Sequence, residues 1–167
     1  MRFGYLVSGI VLALASTNSV AEQPHHCAGP QLGTWRLESF STEILETGEK
    51  TEPYGARPQG YLSYGADCRM YAIIVRQGRK APAGSIPTDA EKIELFGGVL
   101  SYAGTYTIDG DKVSHHVDSS WNEAWTGTTQ VREFRVEGKT LRIRSMPAKN
   151  PRDGRLSSST IVWTKVQ

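Results

Sequence analysis

His115, Arg132, Gln130 and Tyr106 fall within one strand-like stretch, residues 102–145, and gathered on one inner surface they have the chemistry to hold an acid or move a proton. A guanidinium grips a carboxylate through two parallel hydrogen bonds. A phenol and a carboxamide add neutral bonds, and an imidazole titrates near neutral pH. Such groups are costly to bury unless they are paired or used, so their placement inside a fold marks a candidate site. Strand alternation decides which of them point inward. On 129–137, Glu133, Arg135 and Glu137 demand water, leaving Gln130, Arg132, Phe134 and Val136 inside. On 112–119 the more apolar set is Val113, His115, Val117 and Ser119, which turns His116 and Asp118 outward. On 103–109 the inner set is Gly104, Tyr106 and Ile108, and on 140–145 it is Leu141, Ile143 and Ser145. Trp121 and Trp125 lie in the following loop, 120–128, where aromatic rings either cover a mouth or pack on its rim.

Three readings follow from this set. In the first, Tyr106, His115, Gln130 and Arg132, with Trp121 and Trp125 near the mouth, bind a small apolar or amphipathic molecule carrying an acidic or carbonyl group. In the second, His115 acts as a general base while Arg132 and Tyr106 stabilise an enolate, making a cofactor-independent isomerase or cyclase. In the third, the interior is filled and the domain is a structural or interaction module. A metal site is not expected, because the adjacent His115 and His116 face opposite ways on a strand. Nor is nucleophilic hydrolysis, since no Gly-x-Ser-x-Gly elbow is present. No cofactor is called for.

The elements that position these groups read as short strands joined by tight turns. Asp109-Gly110 and Glu137-Gly138 are hairpin dipeptides. Further strands are expected near 61–65, 69–75 and 158–165, with a first strand around Trp35 and Leu37. Thr88, with Glu91 three residues on, has capping-box spacing and predicts one short helix with Ile93, Leu95, Phe96 and Leu100 on its apolar face. Eight antiparallel strands with hairpin connections leave two open edges unless they close. The expected fold is therefore all-β, an eight-stranded antiparallel up-and-down barrel with one short helix. A barrel of that size is filled by side chains or holds one small ligand.

At 167 residues the chain suits a single domain. Arg2, the apolar run 6–15 and Ser19-Val20-Ala21 read as a secretory leader over 1–21 cleaved after Ala21, followed by a flexible lead-in over 22–31 and the barrel domain over 32–167. The apolar run is too short to span a bilayer, so no membrane span is expected after cleavage, and the protein is expected to be periplasmic or secreted. The net charge of +2 and the scattered basic residues argue against nucleic acid as partner. In an oxidising compartment the pair Cys27 and Cys68 suits a disulfide better than a metal site.

Gly33-Thr34-Trp35 at the start of the first strand and Trp163 with Lys165 in the last resemble the lipocalin pattern, in which a Gly-x-Trp packs against a basic residue of the final strand. GYLSYGADCRM at 60–70 and YAGTYTIDGDKVSHHVDSSWNEAWTGTTQVREF at 102–134 further resemble the bacterial and fungal lipocalin-like domain family of the calycin superfamily. The resemblance covers nearly all of the chain after the leader and implies the barrel, with Trp35 and Lys165 as its end seal. It says little about function, because fold does not fix function. The chain departs from that pattern twice. Cys68 stands in a hairpin where the family usually places glycine, which implies a special role such as a disulfide. Lys165 stands where arginine is expected and lacks a planar guanidinium to stack on Trp35, implying a looser seal.

Overall fold

The computed structural model describes residues 27–150 and 153–166. The leader expected over 1–21 and its cleavage point lie outside them. The Asp-Gly and Glu-Gly signals become turns in which Gly110 and Gly138 take left-handed φ of 58° and 56°. Each reverses one strand into the next, joining β5 (Val99–Asp109) to β6 (Lys112–Ser120) and β7 (Thr129–Glu137) to β8 (Thr140–Ser145). Ahead of these run β1 (Gly33–Ile44), the two-residue β2 (Lys50–Thr51), β3 (Gln59–Tyr64), β4 (Arg69–Val75) and helix α1 (Asp89–Gly97). The two-residue β9 (Ala148–Lys149) and the long β10 (Leu156–Lys165) follow. Neighbours pair in the order β1-β3-β4-β5-β6-β7-β8-β10, and β10 returns to pair with β1, closing an eight-stranded antiparallel barrel. The short β2 and β9 are appended to β1 and β10.

The barrel core is built from alternate residues of these strands. Trp35, Leu62, Met70, Ile74, Leu141 and Trp163 are all buried. One end is sealed by Trp35. Its indole N–H donates to Gln31 O at 2.7 Å, and Lys165 Nζ lies 4.8 Å from its ring centroid while donating to Leu32 O at 2.6 Å. The Lys165 ammonium thus combines a cation–π contact with a carbonyl hydrogen bond, where a guanidinium would have stacked flat.

Residues 27–31 were expected to belong to a flexible lead-in, but they are fastened to the barrel. Cys27 is disulfide-bonded to Cys68, Cys27 N donates to Ala66 O at 2.9 Å, and Gln31 is buried. The reason is covalent and local: the bridge ties this segment to the β3–β4 turn. Cys68 has a φ of 62°, a conformation that glycine adopts freely and that few other residues take. It is held there by the disulfide and by Tyr106 N, which donates to Cys68 O at 2.9 Å.

Two further expectations change. The capping box forms as read, with Thr88 and Glu91 bonding reciprocally, but α1 buries no residue. Leu100, expected on its apolar face, belongs instead to β5, because the helix stops at Gly97. Ser119 and Ile108, expected inside, are exposed. A bulge between β5 and β6 makes Gly104 oppose Val117 while Ala103 opposes Ser119, so the alternation flips beyond Val117. Ile108 sits at the hairpin end of β5, beyond the reach of the core.

Candidate functional site

The cavity lies where the inward residues of all eight barrel strands leave space rather than filling it. Leu62 on β3, Ala72 and Ile74 on β4, Ile143 on β8 and Ile161 on β10 wall a cavity of about 270 Å³. That is near the lower end of small-molecule pockets, which span roughly 300–1,000 Å³. Into these apolar walls come polar side chains from Tyr102, His115, Arg132, Ser145, Ser159 and Trp163, with Trp125 on the rim.

His115 is at the centre of the polar part. It is buried on β6, with Nε2 2.7 Å from the Tyr64 hydroxyl and Nδ1 2.8 Å from the Tyr102 hydroxyl. Burial, then the Arg132 guanidinium, then His116 hold its pKa down to about 3, so the ring is neutral at ordinary pH. Burial also raises the tyrosines. Tyr102 is pushed up to about 12 and Tyr64 is well above the usual phenol range, while Arg132 opposes the rise in both. The three side chains form a neutral string, phenol to imidazole to phenol, across the interior.

Arg132 lines the cavity from β7. Its guanidinium donates to Val131 O at 2.9 Å and to Gln130 Oε1 at 3.1 Å, both uncharged acceptors. It has no carboxylate partner among the described residues, although the exposed cations Arg36, Arg69, Arg135 and Arg155 all pair with acids. Gln130 is itself steadied by donating to Thr128 Oγ1 at 2.9 Å. It does not line the cavity, and its contact is with the guanidinium. Trp163, from β10, lines the cavity and is buried, and its indole N–H has no hydrogen-bond partner among the described residues.

Of the residues read from sequence, His115, Arg132 and Trp125 are brought together at the cavity. Gln130 stands behind Arg132. Tyr106 is buried but turned away, donating to Gly65 O at 3.0 Å and meeting Tyr64 edge-on at 4.7 Å. Its position on β5 is four residues from Tyr102, far enough along the strand to serve the sealed end. Trp121 packs edge-on against Trp125 with centroids 4.9 Å apart, and itself lies in an outer groove with Tyr61 and Tyr71. His116 faces outward between Thr107 and Thr129, as the alternation requires. Tyr64, Tyr102 and Trp163 were missed. The signal for Tyr102 was present, since extending the inward set Tyr106, Gly104 by one more step reaches it. Tyr64 follows likewise from Gly60 and Leu62 on β3, a strand not sorted by face.

A closed eight-stranded barrel with an end-sealing Trp35 and a partly open interior defines a calycin-type architecture. The chain belongs to the lipocalin-like domain family, whose model matches residues 32–166. Among solved structures it is similar to a lipocalin-like protein from Bacteroides uniformis ATCC 8492, with 13% identity and a TM-score of 0.46 over 82% of this chain and 99% of that one. An uncharacterized protein from Bacteroides eggerthii DSM 20697 is similar at 15% identity and a TM-score of 0.40, covering 81% and 98%. Peptide chain release factor 3 of Lacticaseibacillus casei (strain BL23) is 32% identical over 96 residues, 54% of this chain. The chain spans only 17% of that curated relative's length.

Proposed function

We propose that this domain binds a small amphipathic molecule inside its barrel, with the molecule's acidic or carbonyl group at Arg132 and its apolar body against Leu62, Ile74, Ile143 and Ile161. The observation that carries this reading is Arg132 itself, a cation lining an apolar cavity while bonded only to neutral acceptors. The half-buried guanidinium has donors to spare beside the apolar lining, and a carboxylate can take them bidentately while matching the charge. The cavity argues against a filled, purely structural barrel.

Proton-transfer catalysis is less well supported. Both His115 nitrogens are engaged by tyrosine hydroxyls, and a group with a pKa of about 3 is a weak base at neutral pH. Tyr106, the partner that reading required, points elsewhere. The Cys27–Cys68 disulfide supports an oxidising compartment, and with it a secreted or periplasmic protein.

Native mass spectrometry of the protein purified from its source tests the binding reading. A small acid is expected to travel with the wild type and to be lost from Arg132→Ala. Retention of the same molecule undiminished in Arg132→Ala would remove Arg132 as its anchor.

A further inference from the structure

The hydrogens of the Tyr64–His115–Tyr102 string can be assigned, and the assignment names the polar end of the ligand. Tyr64 is buried, and its hydroxyl has one partner, His115 Nε2. A buried hydroxyl hydrogen needs an acceptor. Tyr64 must therefore donate to Nε2, which makes Nε2 the unprotonated nitrogen. In a neutral imidazole the hydrogen is then on Nδ1. Nδ1–H donates to the Tyr102 oxygen, 2.8 Å away. The Tyr102 hydroxyl has no other partner among the described residues, so its own hydrogen is left free, on a side chain that lines the cavity.

The buried Trp163 indole N–H, on a residue that lines the same cavity, is a second donor without a partner among the described residues. The Arg132 guanidinium, bonded to two neutral acceptors, is the third donor group. Trp125 also lines the cavity, and the remaining polar side chains there are two serines: Ser145 Oγ accepts from Ser159 N at 2.8 Å, and Ser159 Oγ pairs with Thr42 Oγ1 at 2.9 Å. No acceptor-only side chain among the described residues lines the cavity.

Resting on the binding reading above, we propose that the ligand class is a monocarboxylic acid in its ionised form, its carboxylate received by Tyr102 O–H, Trp163 N–H and Arg132. A carboxylate is acceptor-only, with about four lone-pair sites, and can take all three donors at once. An alcohol's hydrogen has only the serine oxygens to go to, and an alcohol leaves the Arg132 charge unmatched. An ammonium adds like charge beside Arg132. The neutral string also keeps the tyrosines as donors, because their hydroxyls hold their protons throughout the ordinary pH range.

The test uses three probes with one apolar body: octanoate, 1-octanol and octylammonium, titrated calorimetrically into the full domain at pH 7. Octanoate is expected to bind at least tenfold more tightly than octanol, with octylammonium giving no measurable binding. Tyr102→Phe should weaken octanoate about tenfold and leave octanol within about twofold. The Trp163 indole N–H resonance should move on adding octanoate. Octanol binding as tightly as octanoate, or a Trp163 resonance unmoved at saturation, would overturn the carboxylate inference while leaving the cavity a binding site. No binding by any probe would overturn both readings. Long-range 1H–15N spectra of the free protein give a ligand-independent check. Protonated Nδ1 on His115 is expected, and a protonated Nε2 would overturn the assignment.

Discussion

His115 links stability to site chemistry at the residue scale. Its folded pKa of about 3 lies below the ordinary histidine value, so between those two pH values the unfolded chain binds a proton that the folded one refuses. Stability from this group is therefore complete above about pH 6.5 and declines as pH falls towards 3, by at most about 1.4 kcal/mol per pH unit. Denaturant midpoints measured from pH 7 to 4 should fall in the wild type, and this component should vanish in His115→Phe. That variant also strands the buried Tyr64 hydroxyl, and the lost partner should cost about 1–3 kcal/mol at pH 7. Equal pH slopes in the two proteins would show that His115 is not the titrating group. His115 and Arg132 were legible in sequence because alternation sorts a strand once its charged face is recognised. The inward face of Tyr64 was open to the same sorting, but its bond to His115, 51 positions away, and the missing partner of Trp163 have no local sequence signal.

At the scale of elements, the β5–β6 ladder and the tethered N-terminal segment decide how well the site is held. The bulge opposite Ala103 brings Gly104 so close to β6 that a Cβ there would overlap the His116 carbonyl oxygen. Gly104→Ala should therefore destabilise by about 1–3 kcal/mol, read by thermal unfolding, because backbone cannot yield as a flexible side chain can. An unchanged midpoint would mean that the ladder relaxes there. Replacing Cys27 and Cys68 together by serine should cost about 2–4 kcal/mol and free the segment that packs Gln31 beneath Trp35. Hydrogen exchange at 27–32 should rise by orders of magnitude, and unchanged protection would show that Gln31 and Lys165 hold the segment alone. Hairpins and helix start were readable from Asp-Gly, Glu-Gly and Thr88-x-x-Glu91, since turns and caps are local chemistry. The bulge was not, and it is what moved Ser119 from the inner face to the outer one. Helix α1 kept its cap but lost its apolar face, since Leu100 pairs in the ladder opposite Ile74.

The whole molecule is a closed sheet sealed at one end by Trp35 and Lys165, with an interior left partly open beside Trp125. Closure was foreseeable from strand count and connection length, because eight hairpin-linked strands have few other ways to remove both edges. Whether the inside would be full or empty was not foreseeable, since it turns on the fit of residues from all eight barrel strands. The central claim is that this interior, and not the outer aromatic groove of Tyr61, Tyr71 and Trp121, is where a ligand resides. Intermolecular nuclear Overhauser contacts between octanoate and methyl-labelled protein test it most directly. Contacts from the alkyl chain to the methyls of Leu62, Ile74, Ile143 and Ile161 are the predicted result. Contacts confined to Ile73 beside the outer groove would contradict it.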